Sequence, residues 1–159
     1  MSADAPGRTA PWAKALAAVL LSLLTAAVVS YTVGWSREAD RKDAAAEATR
    51  QDVRHFADEV LAGEGKVPSD RLGMVNLFTG VIEQGIAQVY WVEPAGGRIR
   101  VIAEFSRTYK RFLPVFGPAE DTAGRCYTVD LPSTASPGEQ AKITEHGADE
   151  RCTDVMARP

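Results

Sequence analysis

The sequence predicts an α+β protein: an N-terminal transmembrane helix and helical stalk, then a small domain with one helix packed on an antiparallel sheet of about three to five strands. Three observations carry this. The 22 residues from Ala15 to Ser36 bear no formal charge. The following stretch, 36–62, has no Gly or Pro and is rich in Ala, Glu, Arg and Lys, so it reads as helix. From Ile86 onward the apolar period switches from helical to alternating, with turn residues between the runs. The expected division is a tail at 1–14, a transmembrane helix at 15–35, a stalk at 36–63 and an extracytoplasmic domain at 64–159.

Residues 1–11 hold two prolines and read as a cytoplasmic tail. A helix rises about 1.5 Å per residue, so about 20 apolar residues cross a hydrocarbon core of about 30 Å. Leu16 to Val33 fits, with Ser22, Thr25, Ser30 and Thr32 able to bond back to helix carbonyls. Trp12, Tyr31 and Trp35 stand where interfacial anchors belong. The competing reading is a signal peptide cleaved near Val28-Val29-Ser30. Its apolar core would exceed the usual length of about 7–15 residues, which favours an uncleaved anchor.

Orientation is contested within the sequence. Arg8 and Lys14 precede the apolar run, whereas Arg37, Arg41, Lys42 and Arg50 follow it. Counting basic residues places the C-terminal side in the cytoplasm. The two cysteines, Cys126 and Cys152, both lie in the distal domain and fit one disulfide in an oxidising compartment. We follow the cysteines: N-terminus inside, domain outside. Small residues recur at Ala18, Ser22, Ala26, Ser30 and Gly34, a candidate packing ridge for a homodimer or a partner helix. The row drifts around the helix at about 3.6 residues per turn, so an Ala-rich segment also produces it by chance.

Along the stalk, Ala39, Ala46, Val53 and Val60 keep seven-residue spacing, but Lys42 and Thr49 spoil the matching coiled-coil positions. The better expectation is a charged stalk whose last turns dock through Val53, Phe56, Ala57, Val60 and Leu61. Gly63 and Gly65 end it. Ser69 or Asp70 caps a second helix running to about Gln84, with Leu72, Val75, Phe78 and Ile82 on its apolar face. Ile86 to Glu93 and Arg98 to Tyr109 read as a hairpin across Pro94-Ala95-Gly96-Gly97. Ile99, Val101, Ala103 and Phe105 form the inward set of the return strand. Phe112 to Phe116 reads as a short edge strand, demoted by Pro114. Cys126 to Leu131 follows with Tyr127, Val129 and Leu131 inward, then a loop at 132–140 and a last short strand near Ala141 to Glu145.

This layout, a helix on a curved antiparallel sheet behind an anchor, resembles the cystatin-like and nuclear-transport-factor-like domains of some envelope assembly proteins. The Ala- and Arg-rich anchor, compact domain and paired late cysteines are also similar to small uncharacterised single-pass envelope proteins of actinobacteria. Either resemblance implies a fold and a place in the cell envelope, and neither carries an activity.

Residues 36–159 hold 16 Lys+Arg against 20 Asp+Glu, which argues against nucleic acid as a partner. No cofactor or metal motif is present in the sequence. His55 lacks a second ligand at helical spacing, and His146 sits in a polar tail. Gly63-Glu64-Gly65-Lys66 lacks the glycine, the hydroxyl residue and the preceding strand of a phosphate loop. Glu83, Glu93 and Glu104 are the carboxylates from which a hydrolase would draw its pair. Arg98, Arg100, Arg107, Lys110 and Arg111 face only Glu104 in the same stretch, a candidate surface for an anionic partner. The reading favoured is a membrane-anchored extracytoplasmic binding or scaffolding protein without catalysis. A membrane-tethered hydrolase and an accessory subunit of a membrane complex are the alternatives.

Overall fold

A computed structural model describes residues 11–63, 65–81, 85–112, 118–136 and 138–157. A single helix, α1 (Pro11–Ala62), runs for 52 residues without a break, about 78 Å at helical rise. Its first half is apolar and exposed, and by length and composition it could cross a membrane. Its second half is part of the folded domain. Ala45, Thr49, Val53, Phe56, Ala57 and Val60 recur at three- and four-residue spacing and are all buried on the sheet. The segment expected as a stalk, 36–63, thus lies along the domain for most of its length and does not hold it at a distance. Of the expected tail, residues 1–10 lie outside the described residues, and Pro11 to Lys14 are helical.

The main sheet is antiparallel, with four strands in the order β2 (Ile86–Ala95), β3 (Arg98–Lys110), β4 (Glu120–Pro132) and β6 (Lys142–Glu145). β3 and β4 pair over thirteen residues each, from Arg98↔Pro132 to Lys110↔Glu120. The hairpin between β2 and β3 turns through Gly96 and Gly97, whose φ values of +57° and +83° suit a two-residue turn with both central residues left-handed. Pro94 is tolerated because β2 is an edge strand. The ribbon β1 (Gly65–Lys66) with β5 (Thr134–Ala135) closes the gap after α1. It occupies part of the segment expected as a flexible loop.

Two helices, not one, cover the inner face. α2 (Arg71–Val81) starts at Asp70, whose Oδ1 accepts from the Gly73 amide at 2.8 Å. It buries Met74 and Phe78 against β2 and α1. Phe78 stacks on Phe56 with centroids 3.8 Å apart and leans on Phe105, which meets Tyr127 edge-on at 5.7 Å. This aromatic row, with Val53, Val101, Val129 and Leu131, is the centre of the core. Residues 82–84 and 113–117 lie outside the described residues, and with them the end expected for α2 and most of the expected edge strand at 112–116.

The outer face carries a second, smaller cluster. Ile102 and Cys126 point there, and a short helix, α3 (Cys152–Met156), covers them with Val155 and Met156. Cys126 and Cys152 form the disulfide, Cα atoms 5.3 Å apart, that holds this helix. A bulge at Val89/Trp91 sends both Tyr90 and Trp91 to the outer face while Val89 stays buried inside.

Candidate functional site

Two concavities on the folded domain gather polar side chains. The first lies where the apolar run of α1 ends. Tyr31, Trp35, Glu38 and Lys42 recur at helical spacing on one face of α1. The end of β3 and the start of β4 bring Tyr109, Arg111 and Asp121 opposite them. The space between is about 530 Å³. Tyr31 and Trp35 form a tilted ring pair 6.1 Å apart at its apolar end.

Chain and helix are tied together here by contacts of high sequence separation. The Glu38 carboxylate accepts from the Phe112 amide at 2.7 Å and faces the Arg111 guanidinium at 3.5 Å. Arg41 donates to the Lys110 carbonyl at 2.8 Å. The guanidinium groups of Arg37 and Arg41 sit over the Phe112 ring, 5.0 and 5.4 Å from its centre. One step further along, Arg107 makes a two-pronged bond to Asp52 at 2.7 and 2.6 Å. Burial, and then the nearby Asp121 and Glu38 charges, push the Tyr109 phenol up from its ordinary pKa. Lys42 has no ion-pair partner among the described residues. Among the described residues the Asp121 carboxylate accepts only from the Thr122 amide and, at 3.4 Å, the Tyr109 hydroxyl.

The second concavity, about 560 Å³, lies on the outer face beside the disulfide. Tyr90, Glu104, Arg125, Asp149 and Glu150 line it. Tyr90 donates to Glu104 at 3.0 Å, and the phenol is shifted up by burial first and by that carboxylate second. A Cβ on Gly124 would stand 2.7 Å from the Glu104 carboxylate, so glycine there leaves room for it. No group of three or more metal-ligating side chains forms among the described residues.

The residues singled out in the sequence do not form one surface. Arg98 and Lys110 stand at opposite ends of β3, about 40 Å apart at strand rise. Arg98 donates to the Asp130 and Gln140 carbonyls, and Arg100 pairs with Asp130 at 2.9 Å and Glu93 at 3.6 Å. Arg107 and Arg111 are engaged as above, which leaves Lys110 as the exposed cation of the set. Glu93 faces Arg100, four residues along β3 from Glu104. Their backbone positions are about 13 Å apart along the strand, and the side chains are committed to different partners, Glu93 to Arg100 and Glu104 to Tyr90. Glu83 lies outside the described residues. Of the small-residue row, Ala18, Ser22, Ala26 and Ser30 are exposed, and the Ser22 hydroxyl donates to the Ala18 carbonyl. Gly34 is buried in the first concavity instead. His55 is exposed on α1, whereas His146 shares a 2.8 Å hydrogen bond with Thr128.

Lys42, Tyr109 and Asp121 did not stand out in the sequence as site residues. The first half of β4 (Glu120 to Arg125) buries only Ala123 and shows no alternation, so nothing there signals that Asp121 is carried back to the helix. Compared with protein-family models, curated proteins and solved structures, the chain shows no match.

Proposed function

We propose that the protein is a membrane-anchored, extracytoplasmic binding or scaffolding domain of the cell envelope, held against the outer surface of the bilayer by a helix that is both anchor and core. One observation carries the reading. The apolar, exposed half of α1 passes without a break into the half that buries Phe56 and Val53. Tyr31, Gly34 and Trp35, at the end of the apolar run, already line a concavity shared with the domain, so anchor and domain share one helix. A cut near Ser30 would leave those residues in place, so retention is supported by the length of the apolar run, which exceeds the core of a signal peptide.

The disulfide supports an outward-facing domain. The basic residues that follow the apolar run have a second role in the fold: Arg37 and Arg41 sit on Phe112, and Arg50 pairs with Glu145. Binding in place of catalysis is supported by the engagement of both candidate carboxylates: Glu93 faces Arg100 at 3.6 Å and Glu104 accepts from Tyr90 at 3.0 Å. The test is fractionation of membranes with alkaline carbonate, followed by intact mass. The full 17.1 kDa chain is expected in the membrane pellet. A soluble chain beginning after Ser30 would overturn the anchor.

A further inference from the structure

We propose that the concavity between α1 and the β3–β4 end holds the headgroup of a phospholipid that carries both a phosphate and a primary ammonium. This rests on the reading that α1 crosses the bilayer. Given that reading, Tyr31 and Trp35 lie at the interfacial level, and the space above them opens at headgroup height. The opening is amphipathic in the right order along the helix: aromatic rings at the end of the apolar run, charges one and two turns beyond.

Charge bookkeeping inside the space selects the headgroup. Glu38 and Arg111 face each other across 3.5 Å and so offset one another. That leaves one cation and one anion. Among the described residues Lys42, on the helix, has no ion-pair partner, and Asp121, on the sheet, accepts only from an amide and a distant phenol. A phosphate diester suits the Lys42 ammonium, which lines the space two turns beyond Trp35 on the same helical face. An ammonium with its own N–H donors suits the Asp121 carboxylate. A headgroup without a cation would leave the Asp121 charge uncompensated, and a quaternary ammonium would offer it no hydrogen bond. A volume of about 530 Å³ accommodates such a headgroup with the start of its glycerol.

The experiment is native mass spectrometry of the full-length protein, delipidated in mild detergent and titrated with phosphatidylethanolamine, phosphatidylglycerol or phosphatidylcholine of matched acyl chains. The wild type is expected to retain phosphatidylethanolamine best. Lys42→Ala should weaken its retention roughly tenfold, the scale of one charge-assisted hydrogen bond. Asp121→Asn should erase the preference over phosphatidylglycerol. Both side chains are exposed, so an unchanged disulfide and melting temperature serve as the folding control. Equal retention of the three lipids by the wild type, or an undiminished preference in Asp121→Asn, overturns the inference. A chain that carbonate strips from membranes instead overturns the anchor beneath it, so the two failures are distinguishable.

Discussion

Thr49 and Tyr127 place a polar contact inside the apolar face that α1 buries on the sheet. Tyr127 is fully buried, and its hydroxyl meets the Thr49 hydroxyl at 3.0 Å. Thr49 spoils a coiled-coil position in the sequence, and only the partner strand explains why a polar residue is buried there. Thr49→Val should leave the phenol unsatisfied and cost about 1–3 kcal/mol, while the double variant with Tyr127→Phe should recover part of that loss. Denaturant unfolding of all three variants reads the coupling. Glu145 is the second residue-scale case. Its hydrogen bond to Arg50, at 2.7 Å, holds the carboxyl below its ordinary pKa of 4.5 despite partial burial. A depressed folded-state pKa stabilises the fold above the ordinary value, and that contribution is lost as pH falls below 4.5 through the folded value. Melting curves from pH 6 to about pH 3 should show Glu145→Gln losing less stability on acidification than wild type. The pair is partly exposed, so the difference should stay within about 1 kcal/mol.

At the scale of elements, the helices and strands with dense apolar patterning were legible in the sequence, and the ones built on contacts at a distance were not. Ile99, Val101, Ala103 and Phe105 alternate as read, and Val53, Phe56, Ala57 and Val60 dock as read. The first half of β4 is not legible because Glu120 to Gly124 carries no apolar side chain beyond Ala123 and gains its pairing from β3. The ribbon β1–β5 and the five-residue α3 were missed because each is too short for a period; α3 exists where the disulfide holds it. Phe56→Ala removes the ring that joins α1 to Phe78 and Phe105 and should cost about 3–5 kcal/mol. Cys152→Ser opens a loop of 26 residues, worth about 3.5 kcal/mol in the chain-entropy account. Hydrogen exchange should then show α3 and its neighbours opening while β3 and β4 stay protected.

For the whole molecule, the sequence showed an apolar run and a helical stretch as two parts, and the fold makes them one. The physical reason is that residues 36–62 have helix propensity all along but only a modest apolar stripe, so their burial depends on a sheet that lies far later in the chain. The candidate site follows from the same geometry: Tyr31 and Trp35 were legible as interfacial aromatics, whereas Lys42, Tyr109 and Asp121 meet them only once β3 and β4 return to the helix. The central claim is an outward-facing, disulfide-closed domain fused to an uncleaved anchor. Its most direct measurement is labelling of Cys126 and Cys152 in intact cells with a membrane-impermeant maleimide, with and without an impermeant reductant. The account predicts no labelling until the reductant is added, and then labelling of both cysteines on the intact-length chain. Free thiols that react only after lysis would contradict it.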